Sequence, residues 1–149
     1  MKRFPLAALL LCLCAYGSQT VAQEHFTPGP VWRVTLIDIK PGKFDEFMMD
    51  LRRNFKPINE EYKKQGIIMN YIIRLKSTTD GPGDWDVSIA VQYKSFATLD
   101  DLAAKTDPIT LKHYGSREAR QAAAAKRTEL GTVVASHLMR EVTLKDLSQ

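Results

Sequence analysis

Residues that carry covalent or metal chemistry are scarce in this chain. Two cysteines and three histidines occur among its 149 residues, and both cysteines, Cys12 and Cys14, lie in the first 22. If that segment is removed as a signal peptide, the rest has no disulfide, no thiolate nucleophile and no cysteine-ligated metal. Three scattered histidines are too few for a transition-metal site. The sequence therefore predicts neither a bound metal nor a cofactor.

Signatures of the common nucleotide-binding and hydrolase sites are also absent. The chain has no G-x-S-x-G, Walker or Rossmann motif. No basic stripe is interleaved with aromatic residues, which argues against nucleic-acid binding. Asp80, Asp84 and Asp86 lie close together but lack the EF-hand spacing and its terminal glutamate. They predict an ordinary hairpin loop rather than a calcium site.

Residues 1–22 have the pattern of an export signal. Lys2 and Arg3 precede an apolar run at residues 6–16, and Ala22 ends a Thr-Val-Ala segment that fits signal-peptidase cleavage. The run is shorter than the roughly 20 residues of a membrane-spanning helix, which argues against an anchor. Leucine precedes each cysteine, where a lipoprotein signal has a small residue. We therefore expect a periplasmic or secreted protein with no stable membrane insertion after cleavage. Its formal net charge falls from +4 to +2, because the removed segment holds Lys2, Arg3 and no acid.

Residues 31–149 are predicted to form one α+β domain after an extended lead-in at residues 23–30. Alternation and turn signals predict strands at residues 31–40, 67–76, 84–93 and 137–145. The predicted helical segments are one from Phe44 to Gly66, a short one at residues 98–105, a turn from Asp107-Pro108 to Tyr114, and a longer helix from Ser116 to residue 134. The order β-α-β-β-α-β is the ferredoxin-like arrangement, a four-stranded antiparallel sheet with helices on one face.

Apolar residues recur at helical spacing in both main helices. In the first helix the stripe consists of Phe44, Phe47, Met48, Leu51, Phe55, Ile58 and Tyr62. Pro57 lies inside it, which predicts a kink or a division near Phe55-Lys56. In the last helix the expected buried stripe is Leu130, Val133 and Ala123 or Ala119.

Alternation along the strands assigns side chains to two sheet faces. We expect Trp32, Val34, Leu36 and Trp85 under the helices. The uncovered face is then expected to hold a polar set and an aliphatic set: Arg33, Thr35, Asn70, Arg74, Asp86, Ser88, Gln92, His137 and Glu141, with Ile37, Ile39, Ile68, Ile72 and Met139. Large aliphatic residues beside polar groups predict burial against a second subunit or a ligand. We therefore expect a homodimer through this face.

Two sequence runs resemble a known superfamily. The runs VTLIDIKPGKFDEFMMDL and AVQYKSFATLDDL resemble the dimeric α/β barrels, in particular antibiotic-biosynthesis-monooxygenase-type and NIPSNAP-like domains, over residues 31–104. The likeness rests on the Pro41-Gly42-Lys43 turn, on Tyr93, and on Phe96 and Leu99 in a short helix entry. It implies two ferredoxin-like subunits packed sheet to sheet around a cavity. Cofactor-free oxygenases of this superfamily place an asparagine, a tryptophan and sometimes a histidine there. Asn70 fits that pattern, whereas both tryptophans are expected on the covered face.

Two functions fit these residues. The first is a non-catalytic exported dimer that binds a small amphipathic or anionic molecule, or a partner, in the cavity on the open face. The second is a cofactor-independent monooxygenase or isomerase with His137 as general base and Asn70 as its catalytic neighbour. A purely structural role of His137 is the alternative.

Arginine residues carry the anion-binding hypothesis. Arg33 and Arg74 on one face would clamp a carboxylate, or would instead pair with Asp86 and Glu141 in an internal ion network. The rest of the expected cavity lining is Thr35, Ser88 and Gln92, with His113 and Tyr114 at its rim or on the surface.

Overall fold

The computed structural model describes residues 25–147, so the predicted signal peptide lies outside the described residues. The strands are β1 (Phe26–Ile39), β2 (Asn70–Leu75), β3 (Val87–Tyr93) and β4 (Gly131–Leu144). The helices are α1 (Phe44–Asp50), α2 (Lys56–Lys64), α3 (Leu102–Tyr114) and α4 (Arg117–Leu130). A π-helical turn, Leu51–Phe55, joins α1 to α2, and a 3-10 turn, Phe96–Leu99, precedes α3. Between residues 25 and 147, no helix has the length and apolar character needed to cross a bilayer.

The four strands form one antiparallel sheet in the order β2-β3-β1-β4. The helices pack on one face of it, around two clusters. One includes Phe47, Leu51, Val87 and Leu130, and the other consists of Ile67, Ile68 and Tyr93 with Tyr62, Leu102 and Ile109 packed against it. The predicted ferredoxin-like β-α-β-β-α-β arrangement is confirmed. Residues of the expected lead-in, from Phe26 onward, are the first part of β1 and pair with the end of β4.

Pro57 divides the first helix as predicted. Proline has no N–H to donate to the carbonyl four residues earlier, so the regular α-helical ladder is interrupted there. The chain accommodates this with the π-helical turn Leu51–Phe55 immediately before α2. Leu51 stays buried within that turn, so the apolar stripe continues across it.

Pro108, by contrast, does not begin a helix. The predicted break at Asp107-Pro108 is wrong, because α3 runs without interruption from Leu102 to Tyr114 with Pro108 inside it. Leu102 and Ile109 pack on the cluster around Tyr93, and this tertiary packing outweighs the local preference of proline. Asp107 does not cap a helix but accepts a hydrogen bond from Arg120 Nη1 at 2.8 Å. The predicted cap of the last helix is confirmed, since Ser116 Oγ accepts from the backbone N–H of Ala119.

The last helix is shorter, and the last strand longer, than the sequence predicts. α4 ends at Leu130 and β4 begins at once at Gly131, so the expected helix end at residue 134 is wrong. The β-branched run after Gly131 pairs with the end of β1 through Thr132 and Val133. Val133 is 60% exposed on this strand and is not part of a buried helical stripe.

The predicted faces of β1 are inverted. Directly opposed residues of antiparallel strands point to the same face, and Ile37 lies opposite Val87 while Thr35 lies opposite Ile89. Val87 and Ile89 belong to the helix-side core, together with Ile37 and Ile39. Arg33, Thr35, Ile37 and Ile39 are therefore under the helices, and Trp32, Val34 and Leu36 are on the uncovered face. Ile68 was also expected on the uncovered face, but it is buried in the cluster with Tyr93.

The loop between β2 and β3 is organised around one lysine. Lys76 Nζ donates to Asp80 at 2.6 Å and to both carboxylate oxygens of Asp84. Asp84 also accepts from the backbone N–H groups of Asp80 and Trp85. These hydrogen bonds lower the pKa of Asp84 to about 2, and the bond from Lys76 has the largest effect. The carboxylates of Asp80 and Asp84 therefore bind the ammonium group of Lys76.

This loop predicts a pH-dependent contribution to stability. The folded pKa of Asp84 lies below the unfolded value of about 4, so its stabilising effect is complete above pH 4 and is lost as pH falls towards 2. We expect Asp84→Asn to lower the thermal midpoint at pH 7, with a difference from the wild type that shrinks between pH 4 and 2. Asp80→Asn is the control, since Asp80 is 81% exposed and should have a smaller effect. An Asp84→Asn deficit equal at pH 7 and pH 2 would contradict this assignment.

Candidate functional site

The uncovered face of the sheet, called here the open face, presents three rows of side chains across β2, β3, β1 and β4. The first row is Asn70, Gln92, Trp32 and Met139; the second is Ile72, Ala90, Val34 and His137; the third is Arg74, Ser88, Leu36 and Ala135. Neighbouring members of a row lie on strands about 4.8 Å apart. The rows therefore bring residues from all four strands into one continuous surface.

The centre of the open face is apolar and its margin is polar. Ile72, Ala90 and Val34 stand side by side in the second row, with Trp32 and Leu36 on either side along β1. The hydrophobic clusters that contact the helices contain no residue of these rows in the described part of the chain. Met139 is 48% exposed. The face is thus an aliphatic and aromatic patch left uncovered by the chain's own helices.

His137 and Asn70, the two proposed catalytic residues, share this face but are not in contact. His137 is exposed at the β4 end of the second row, and Asn70 is exposed at the β2 end of the first. Glu141, two pairs further along β4, accepts a hydrogen bond from Trp32 Nε1 at 2.5 Å. This bond fixes the indole at the edge of the patch rather than orienting the histidine.

Arg33 and Arg74 lie on opposite faces of the sheet, so the two-arginine clamp is wrong for a single subunit. The Arg33 guanidinium stands over the ring of Tyr93 on the helix side, 5.6 Å from its centroid. Arg74 is exposed in the third row of the open face. The alternative ion network with Asp86 and Glu141 does not form among the described residues either. Asp86 instead accepts from the backbone N–H of Ile39 at 2.8 Å.

Among the other expected lining residues, Ser88 and Gln92 are on the open face and Thr35 is not. Ser88 is 4% exposed and lies flush between its neighbours in the third row. Thr35 shares the helix side with Ile89. The open face therefore keeps Asn70, Arg74, Ser88, Gln92, His137 and Glu141 from the predicted set.

His113 and Tyr114 belong to the helical layer and do not rim the open face. His113 Nε2 lies 3.0 Å from Asn54 Oδ1, and the Asn54 amide donates to Asp50. Because that amide oxygen is an acceptor, His113 is the donor in this contact. The Tyr114 hydroxyl accepts from Arg127 Nη2 at 3.3 Å. Both residues are therefore tied to α1, its π-helical turn and α4.

Tyrosines with shifted pKa values also lie on the helix side. Burial, with a hydrogen bond to Glu60, raises the pKa of Tyr71 to about 12. Burial raises the pKa of Tyr93 as well. Neither hydroxyl is therefore a proton donor or acceptor suited to neutral pH, and both face away from the open face. Their role is in packing.

Trp32, Val34 and Leu36 are the open-face residues that sequence reasoning placed on the wrong side. Their row alternates with Ile37 and Ile39, which are just as apolar. The signal that separates the rows is the pairing of Ile37 with Val87, which is a contact between strands distant in sequence.

Comparison with known proteins identifies the fold. No protein-family model and no curated protein matches this chain. A dimeric ferredoxin-like protein from an uncultured marine organism is similar in structure, with 13% identity, a TM-score of 0.51, and coverage of 80% of this chain and 91% of that one. The fold is ferredoxin-like.

Two further solved structures give lower scores. One is a dimeric protein of unknown function and ferredoxin-like fold from Bacteroides fragilis, with 13% identity, a TM-score of 0.43, and coverage of 78% of this chain and 97% of that one. The other is a dimeric ferredoxin-like protein of unknown function from Thermobifida fusca, with 10% identity, a TM-score of 0.42, and coverage of 79% and 94%.

Proposed function

We propose that this protein is an exported homodimer whose two open faces pack towards each other and enclose a small amphipathic molecule. The observation that carries the proposal is the uncovered apolar patch formed by Trp32, Val34, Leu36 and Ile72 around Ala90. A patch of this kind on a soluble domain marks an interaction surface. The similar marine protein is described as dimeric, and the same fold in this chain makes a second copy the natural partner.

The polar margin sets the chemistry of the enclosed ligand. Arg33 lies on the helix side, so Arg74 provides the guanidinium group on the open face. Glu141 already accepts a hydrogen bond from Trp32. Asn70, Gln92 and Ser88 add neutral hydrogen-bonding groups. The ligand that fits is mainly apolar, with a polar or anionic end near Arg74.

The segment before residue 23 supports the exported location in this proposal. The positive start, the short apolar run and Ala22 direct the chain out of the cytoplasm. The mature protein is then periplasmic or secreted.

One experiment on protein recovered from its own host tests these points together. Its intact mass should correspond to a start near Gln23, and sedimentation at micromolar concentration should give twice that mass. Its structure should show density between the two sheets. An uncleaved chain or a clean monomer would overturn the exported closed dimer.

A second candidate function is cofactor-independent monooxygenase or isomerase activity in the same cavity. The specific observation is that Trp32 shares the first row with Asn70, with Gln92 between them, while His137 lies in the adjacent row. The asparagine, tryptophan and histidine that the superfamily resemblance implies are thus on one face. Asn70 and Trp32 are about 10 Å apart across two strand spacings, and His137 on β4 is a third strand spacing away from Asn70. We expect His137→Ala and Asn70→Ala each to lower oxygen uptake with hydroquinone about a hundredfold.

Arg33→Ala is the matched control for that assay, because Arg33 lies on the other side of the sheet. Uptake that is unchanged in the His137 and Asn70 variants, or equally reduced in all three, would leave only the binding function.

A further inference from the structure

A pocket in the helical layer, called here the helix pocket, lies on the opposite side of the sheet from the open face. It has a volume of about 330 Å³ between α2, α3 and α4, within the range of about 300–1,000 Å³ typical of small-molecule sites. Its walls are partly apolar and partly cationic, with no acidic residue: Phe55, Ile58, Asn59, Tyr62, Thr110, Tyr114, Arg120, Ala124 and Arg127. Such a lining suits an anion that carries an apolar body.

The space in the helix pocket comes from a small residue between two arginines. Arg120, Ala124 and Arg127 follow one another at intervals of four and three residues, so they lie on one face of α4. The methyl group of Ala124 fills little of the gap between the two longer side chains. A larger side chain at position 124 would occupy the pocket without altering its charges.

Both guanidinium groups are held in place by aspartates that do not line the pocket. Arg120 Nη1 donates to Asp107 at 2.8 Å, and Arg127 Nε donates to Asp50 at 2.7 Å. Among the described residues, Arg120 Nε and Nη2 and Arg127 Nη1 have no hydrogen-bond partner. The aspartates therefore orient the arginines, and donors suited to a carboxylate remain for the pocket.

Asn59 adds a hydrogen-bond acceptor to the helix pocket. The residue is 5% exposed, and its amide nitrogen donates to the carbonyl of Phe55 at 2.8 Å. Its Oδ1 has no partner within residues 25–147. Because no fully enclosed side-chain oxygen of that range lacks a partner, this oxygen is accessible to solvent, and Asn59 lines the helix pocket. An acceptor in this position is able to take a donor from a bound molecule or from water.

We propose that the helix pocket binds a small carboxylate with an aromatic or branched apolar body and one hydrogen-bond donor. The carboxylate contacts the free N–H groups of Arg120 and Arg127, the body packs against Phe55 and Tyr62, and the donor reaches Asn59 Oδ1. The site is separate from the cavity proposed on the open face, so either is able to exist without the other.

Titration of the full chain with 4-hydroxybenzoate, followed by amide chemical shifts, tests the proposal. We expect saturable shifts confined to α2, α3 and α4, with Ala124→Leu weakening binding at least about tenfold. Ala122→Leu is the matched control, because the same change two residues earlier on α4 lies outside the helix pocket. Benzoate, which lacks the donor, and phenol, which lacks the carboxylate, should both bind more weakly.

Arg120→Gln provides a second variant that keeps the pocket open. It should weaken binding of 4-hydroxybenzoate and leave binding of phenol unchanged. The substitution removes a carboxylate contact, together with the bonds to Asp107 and Thr110, and leaves the apolar walls that hold the ring. The proposal is overturned by the absence of saturable shifts in the three helices, by shifts confined to the open face, or by equal affinity of the Ala124→Leu and Ala122→Leu variants.

Discussion

Placing a glutamate at Ile72 should convert the proposed dimer into a folded monomer. Ile72 stands in the second row of the open face, next to Ala90 and Val34, and this row is at the centre of the patch. In the closed dimer the new carboxylate would be withdrawn from water in the apolar centre of the patch, at a cost of about 3–5 kcal/mol. That cost corresponds to at least about a hundredfold increase in the dissociation constant. Sedimentation across a range of protomer concentrations measures it.

Leu75→Glu is the matched control for this substitution. Leu75 is on the same strand, but it lies opposite Val87 on the other side of the sheet and is 53% exposed. Its charge would stay in water, so dimerisation should be unaffected. A folded Ile72→Glu protein that sediments as the wild type does, or dissociation of both variants, would contradict an interface formed by the open face.

The open face also explains why alternation along the sequence predicted the wrong faces for the side chains of β1. Both rows of this strand are apolar at their ends, with Trp32, Val34 and Leu36 in one and Ile37 and Ile39 in the other. A strand buried on one face alternates cleanly, whereas a strand covered on both faces gives a nearly continuous apolar run. The ambiguity is therefore what a strand between a helical layer and the proposed interface should show. Only the pairing with β3 decides which row faces the helices.

Helical periods were more reliable than helix ends. The stripe through Phe47 and Leu51 predicted which helix face is buried, and Pro57 predicted where the helix divides. The predicted break at Pro108 was wrong because α3 packs against the sheet, and this packing stabilises the helix through the proline. Local sequence does not show such a contact. The predicted end of α4 was wrong because the residues after Gly131 pair with β1.

For the candidate site, the sequence predicted the residue types better than their grouping. Asn70, His137 and Arg74 are on the open face as expected. His113 and Tyr114 are not, because α3 carries them into the helical layer. The helix pocket was missed because its lining comes from three helices, and its polar members look individually like ordinary helix-surface residues.

Phe47→Ala should cause a large loss of folding stability, even though Phe44 and Phe47 are equivalent in the sequence pattern. Phe47 is 1% exposed and packs in the core with Leu51, Val87 and Leu130. Truncating such a side chain leaves a cavity and costs about 3–5 kcal/mol of unfolding free energy, a large share of the roughly 5–15 kcal/mol of a typical domain.

The matched control is Phe44→Ala in the same helix, where the side chain is 42% exposed. Its substitution should cost less than about 1 kcal/mol, because much of the ring already contacts water. Urea denaturation at one fixed protomer concentration measures both variants, since a dimer's apparent stability depends on concentration. Equal losses for the two phenylalanines would mean that the helix is buried along its whole stripe. Unequal losses in the stated order would mean that the helix packs on the sheet through Phe47.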